Sequence, residues 1–102
     1  MNVTIGKDTY YLEKCEGVFA FLKEEGFDKV NMSHLDTEIF KLVLKDNLVD
    51  IPTFKLIDAF KMVYYLNMDT KLKLYGKEIA RRLKLCAYNG IRQVLFYFES
   101  VF

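Results

Sequence analysis

The side chains able to do chemistry are few and scattered. His34 is the only histidine, and no Asp/Cys constellation surrounds it of the kind that orients a catalytic imidazole or completes a metal site. It reads as a loop histidine. The carboxylates Glu24-Glu25 and Asp36…Glu38 fall at predicted helix ends, where they cap or complement the helix dipole and do not suggest an acid/base pair. Cys15 and Cys86 lie far apart and belong to no CxxC or Cys/His cluster, which argues against zinc and for two buried, reduced thiols, with a disulfide left open. Gly6, Gly17, Gly26, Gly76 and Gly90 form no phosphate-cradling cluster. No catalytic residue, metal ligand or cofactor follows from these residues. The chain reads as a binding protein, not an enzyme, and no small-molecule substrate is called for.

One charged pattern stands apart. Lys73, Lys77, Arg81 and Lys84 recur at i, i+4, i+8 and i+11, a basic stripe opposite the apolar face of a predicted helix. Followed by a turn and a further segment, such a stripe suits helix-turn-helix binding of nucleic acid. Against that, 15 basic residues nearly cancel 14 acidic ones, and a net charge of +1 provides no global field toward nucleic acid or a membrane. A solvated helix face has the same composition, so nucleic acid is the weaker reading.

The elements that must carry these residues follow from periodicity. A chain of 102 residues with 52% hydrophobic and 28% charged residues is one globular domain. It has no apolar run of the roughly 18 residues that span a bilayer and no opening that reads as a signal peptide. A cytoplasmic or nuclear location is the expectation. Nine Phe and seven Tyr are many for so small a core, and aromatic residues are over-used at interfaces.

Asn2–Ile5 and Thr9–Leu12 predict a β-hairpin around Gly6, with Val3 and Ile5 facing the covered side. Residues 13–25 predict a helix with Leu12, Cys15, Phe19 and Leu22 on one face, closed by Gly26 and a following apolar contact from Phe27. Residues 28–32 read as a third strand. Asp36 or Ser33 then caps a helix whose stripe is Ile39, Phe40, Val43 and Leu44.

The centre of the chain is residues 54–84, two amphipathic helices joined by a tight break at Leu66–Asp69. Leu56, Ala59, Phe60, Val63 and Asn67 stripe the first, with Ile57 and Tyr64 widening it. Leu72, Tyr75, Gly76, Ile79 and Leu83 stripe the second, which Asp69 or Thr70 caps. On the first helix Phe54, Asp58, Lys61 and Tyr65 lie opposite the apolar stripe, and exposed tyrosine beside small polar groups is the composition of an interface hot spot. After a turn at residues 87–90, Ile91 to Phe102 predicts a short tail helix. It is apolar nearly all round, so it needs cover on two sides. Docking of a partner is the first reading and folding back over the hairpin the rival. The expected fold is α/β (α+β): a small three-stranded sheet with a hairpin, packed by about five helices plus a short C-terminal helix. Residues 1–85 form its core and residues 86–102 a partner-docking segment.

The run Lys61–Leu83, KMVYYLNMDTKLKLYGKEIARRL, resembles the central region of the BTB/POZ superfamily, a helix ending in a Tyr-Leu pair, a polar break and a second helix. Within it the chain is most similar to the S-phase-kinase-associated ubiquitin-ligase adaptors, with elongin C as a cousin. That branch's "ANYLDI" falls on Val63 to Met68 and its "KTVANMIKGKTPEEIR" on Lys77 to Arg92, with Lys77, Ala80, Lys84, Ile91 and Arg92 identical. Val3-Thr4-Ile5-Gly6 and the stretch from Val30 to Leu44 resemble the opening strand and the later strand and helix. The family's acidic insert before the central helices and its acidic tail are absent, and its Thr-Pro-Glu-Glu is Ala87-Tyr88-Asn89-Gly90 here. The chain thus looks like a shortened, divergent member.

The resemblance implies a BTB/POZ fold and a non-catalytic bridge between a cullin and an F-box protein. Tyr64 and Tyr65 match the family's Asn-Tyr pair at the cullin surface, and Lys61 and Asp58 flank them. Leu83, Ile91, Val94, Leu95, Phe98, Val101 and Phe102 match the F-box surface. A weak homodimer, or a self-associating BTB domain that covers its own tail, stays open.

Overall fold

The computed structural model describes residues 1–85. Its elements run β1 (Asn2–Ile5), β2 (Asp8–Tyr11), α1 (Val18–Glu24), β3 (Lys29–Asn31), α2 (Thr37–Val43), α3 (Thr53–Tyr65) and α4 (Asp69–Leu85). Three strands and four helices make this a small α+β fold, with four helices among the described residues where about five were expected. The predicted turn at 87–90 and tail helix at 91–102 lie outside the described residues, as does Cys86.

Alternation decides the sheet. Val3 and Ile5 are fully buried while Asn2 and Thr4, which alternate with them, are half-exposed, the period-two pattern of a strand covered on one face. β1 is the central strand, antiparallel to β2 and parallel to β3, in the order β2-β1-β3. The hairpin is tighter than the sequence suggested. Asp8 pairs with Ile5, leaving only Gly6 and Lys7 to turn, and Gly6 takes φ 61°. A glycine leading a two-residue turn matches the natural twist of the strands it joins.

Two helix ends are written in hydrogen bonds. At the end of α1, Phe27 N–H donates to the Leu22 carbonyl at 3.0 Å and Gly26 N–H to that of Lys23 at 3.0 Å, with Gly26 at φ 92°. This is the 6→1 and 5→2 closure that a left-handed glycine permits. The end of α3 repeats it without glycine. Met68 N–H donates to Val63 at 3.1 Å and Asn67 N–H to Tyr64 at 3.0 Å, Asn67 taking φ 55°. Asparagine tolerates that conformation better than other residues carrying a Cβ. Asn67 is therefore an exposed turn residue and not the last position of the buried stripe. Met68, buried beside Val63, starts α4 by accepting from Leu72 N–H at 2.8 Å.

α1 begins at Val18, five residues later than its periodicity suggested. The cause is a crossing of chains. Val18 N–H donates to the Leu66 carbonyl at 2.9 Å, and Gly17, at φ 60°, sits so close to the α3–α4 corner that a Cβ there would lie 2.2 Å from the Leu66 oxygen. Helix cannot continue backwards through that contact. Just before it, the Glu16 carboxylate accepts from Thr70 N–H at 3.1 Å and Lys71 N–H at 3.2 Å. Glu16 thus caps α4 from a distant part of the chain, the role expected of Asp69 or Thr70. α2 is capped as predicted, by Asp36 accepting from Ile39 N–H at 3.0 Å.

The core gathers Val3 and Ile5 of β1, Phe19 of α1, Phe40 and Val43 of α2, five residues of α3 and Tyr75 and Ile79 of α4. Phe40 is its aromatic centre, with the Tyr10 ring at 5.4 Å and the Phe19 ring edge-on at 6.3 Å. Each such side chain contributes roughly 1.5–3 kcal/mol by leaving water. Tyr75 has no exposed surface, and its hydroxyl donates to the Leu42 carbonyl at 2.5 Å, tying α4 to the end of α2. Burial pushes the Tyr75 phenol from its ordinary 10.0 up to about 12, with the Asp46 charge adding to the effect.

Two outcomes follow. Glu16→Ala should lower the unfolding free energy in urea by about 1–2 kcal/mol, and Gly17→Ala should lower it further, because backbone and not a flexible side chain blocks the added methyl. A Gly17→Ala variant as stable as the parent would contradict this crossing. For Tyr75 the folded-state pKa lies above the unfolded one, so its contribution is complete below pH 10 and is lost as the pH climbs toward 12. Tyr75→Phe should remove that part of the alkaline slope and cost about 1–2 kcal/mol at neutral pH.

Candidate protein-docking surface

The buried side of α3 is Leu56, Ile57, Ala59, Phe60 and Val63, all closed off from solvent or nearly so. Helical geometry then places Phe54, Asp58, Lys61 and Tyr65 on the far side, and all four are exposed there. Tyr65 has 63% of its surface in water and Tyr64, beside it, 51%. Tyr64 therefore does not widen the buried stripe. From Phe54 to Tyr65 the face extends about 16 Å along the helix.

Neighbouring segments complete the face at both ends. At its start Lys55 Nζ lies 2.6 Å from Glu38 Oε1 of α2, an ion pair in water that holds the Lys55 pKa above its ordinary value. Exposed pairs of this kind contribute little stability. At its end the His34 ring meets Tyr65 edge-to-face, centroids 6.3 Å apart and planes at 78°. His34 stands in the β3–α2 connection, tightened because the Asn31 side-chain carbonyl accepts from Ser33 N–H at 3.0 Å and from the Ser33 hydroxyl. Nothing near His34 in the sequence announces that contact, since its partner lies at the far end of another helix. The sequence reading of a satisfied loop histidine could not name this partner.

Of the residues assigned to a second surface, Leu83 is half-buried on α4 and packs against the edge of the core. Ile91, Val94, Leu95, Phe98, Val101 and Phe102 lie outside the described residues. The basic stripe is exposed at Lys73, Lys77, Arg81 and Lys84. Glu78 interrupts it, with both carboxylate oxygens accepting from Arg81 Nε at 2.9 and 3.0 Å. The Arg81 guanidinium, and Arg82 beside it, hold the Glu78 carboxyl below its ordinary pKa even though desolvation opposes this.

Among the described residues no group of three or more His, Cys, Asp or Glu side chains is placed to hold a metal ion, and no helix is long and apolar enough to cross a membrane. Cys15 precedes α1 and does not lie on it. Its thiol is partly buried, 4.0 Å from the Leu12 carbonyl. The chain matches no family model, no curated protein and no solved structure.

The two sides of α3 should respond differently to substitution. Tyr64→Ser and Tyr65→Ser should each change stability by no more than about 0.5 kcal/mol, whereas Leu56→Ala should cost about 2–5 kcal/mol. Thermal unfolding of the three variants checks this. A Tyr65 substitution as damaging as that at Leu56 would mean the exposed face serves the fold and not a partner.

Proposed function

We propose that the protein is a non-catalytic adaptor of BTB/POZ type, joining a cullin scaffold to an F-box substrate receptor in a ubiquitin-ligase complex of the cytoplasm or nucleus. The observation that carries this reading is the outer face of α3. Two adjacent tyrosines, flanked by Asp58 and Lys61, are held in water by a helix whose other side is locked into the core. Tyrosine brings large contact area at small entropic cost, and at the centre of a face it is a common hot spot. Tyr64 and Tyr65 are also the positions that match the cullin-contacting pair of the family the sequence resembles.

The arrangement of elements supports the same reading. A hairpin leads through a helix to a third strand parallel to the first, and a helix pair with a tight corner follows. The resemblance runs through the same elements in the same order. On this reading the F-box surface begins at Leu83 and continues through Ile91, Val94, Leu95, Phe98, Val101 and Phe102. No small molecule, cofactor or catalytic group takes part.

Capture of the purified chain on an immobilised cullin N-terminal region and on an F-box peptide tests the proposal. The chain should bind both. Tyr65→Lys should weaken cullin capture by about 30-fold, the scale of a hot spot of 2 kcal/mol, and leave the circular dichroism unchanged. Joint replacement Val94→Asp and Phe98→Asp should abolish F-box binding and spare the cullin. Folded protein that binds neither partner would end the adaptor reading, and a tight dimer in sedimentation would replace it with self-association.

A further inference from the structure

The charge on this molecule is unevenly spread. α4 bears six basic side chains, Lys71, Lys73, Lys77, Arg81, Arg82 and Lys84, against the two acids Asp69 and Glu78. The whole chain is only +1, so the remainder is net acidic. The basic groups also differ in what they do. Lys71 Nζ lies 3.0 Å from Asp46 and donates to the Lys45 carbonyl at 3.2 Å, closing the end of α2. Arg82 donates to the carbonyls of Leu48 at 2.8 Å and Val49 at 3.2 Å, and to the Thr53 hydroxyl at 3.2 Å, fastening the α2–α3 connection onto α4. Those two serve the fold.

Lys73, Lys77 and Lys84 do not. All three are exposed, and none has an ion-pair partner among the described residues. Lys73, Lys77 and Arg81 succeed one another at i, i+4 on one face, a spacing at which like charges repel and weaken a helix. Stability alone would favour alternating signs. A ridge of like charge in which Lys73, Lys77 and Lys84 lack an ion-pair partner among the described residues, Arg81 alone being held by Glu78, is the form expected where negative charge arrives from outside.

Beside this ridge the fold leaves an open cleft of about 260 Å³ between α4 and the α2–α3 connection. Its apolar wall is Leu48, Val49 and Leu74, and Lys77 and Arg81 stand at its edge. Val49 is 63% exposed. The two acids that also line the cleft are already engaged, Asp46 by Lys71 and Glu78 by Arg81 and Arg82. Basic groups beside an apolar slot fit a chain that alternates carboxylates with aliphatic or aromatic side chains. Nucleic acid fits less well, because the described residues of the cleft offer no aromatic ring for a base and Glu78 interrupts the ridge.

We propose that the outer face of α4 and the adjoining cleft form a second docking site, separate from the α3 face, for an acidic amphipathic segment of a partner protein. An apolar side chain of that segment enters between Val49 and Leu74. Its carboxylates meet Lys73, Lys77, Arg81 and Lys84.

Fluorescence anisotropy of the full chain tests this, with a labelled peptide of repeated Glu-Leu-Glu-Glu-Phe as probe. Comparison probes are polyglutamate of equal charge, a DNA duplex and a single-stranded RNA. The peptide should bind saturably at low ionic strength, weaken as salt rises, and bind about tenfold more tightly than polyglutamate. Lys73→Glu with Lys77→Glu should reduce affinity by at least about tenfold, and Lys73→Gln with Lys77→Gln by a smaller factor. Val49→Asp should lower peptide affinity more than polyglutamate affinity. The variants should keep the parent's circular dichroism, since the altered positions are exposed, and Tyr65→Lys should bind the peptide like the parent. Absence of saturable binding, indifference to charge reversal in folded protein, tighter binding of either nucleic acid, or loss of peptide binding in Tyr65→Lys would each overturn the proposal.

Discussion

The near-contact of Gly17 with the Leu66-Asn67 backbone is the constraint on which the other parts of the fold depend. No side chain fits between the two segments, so they meet backbone to backbone, and three consecutive residues use the meeting. Glu16 caps α4, Gly17 supplies the close approach, and Val18 N–H takes the Leu66 carbonyl as α1 begins. The late start of α1, the turn between α3 and α4 and the satisfied first amides of α4 are therefore consequences of one crossing. A helix start has N–H groups with no acceptor inside the helix, and a carboxylate placed there satisfies them. Here the acceptor comes from the β2–α1 connection, so the crossing fastens the start of α1 to the α3–α4 corner.

Once that corner is set, the orientation of α3 follows. Its aliphatic and aromatic stripe faces the core, and Phe54, Asp58, Lys61 and Tyr65 on the opposite side are exposed. Tyr64 and Tyr65 stand at the end of the helix that the corner anchors, and Tyr65 leans on His34 from another connection. Large rings in water give up burial free energy. A tyrosine presented this way is suited to recognition, since its side chain has few torsions to lose on binding.

α4 divides its charges in the same way. Lys71 and Arg82 are turned inward to loop carbonyls and carboxylates, where they join α4 to the end of α2 and to the α2–α3 connection. Lys73, Lys77 and Lys84 on the outer face make no ion pair among the described residues. Both central helices thus combine an inner side that holds the domain together with an outer side of defined chemistry, aromatic on α3 and basic on α4.

By itself, the amino-acid sequence determined whatever rests on short spacings. The alternation of Val3 and Ile5, the stripe of Leu56, Ala59, Phe60 and Val63, the Asp36 cap, the Gly26 closure with Phe27 and the exposed line Phe54–Asp58–Lys61–Tyr65 were all legible, because periodicity and capping act within a few residues. Contacts between distant segments were not. Nothing in residues 13–17 announces that Glu16 caps a helix on the other side of the domain, so helical periodicity there was overridden and α1 shortened. Asn67 fits an apolar stripe by spacing alone, yet its place at the corner makes it a left-handed turn residue. His34 looks solitary until the fold brings Tyr65 to it, and Arg82 looks like one more surface cation until the α2–α3 connection closes over it. Local preference is a weak force beside a satisfied amide or a close backbone contact, and those arise only when the tertiary structure brings distant residues together.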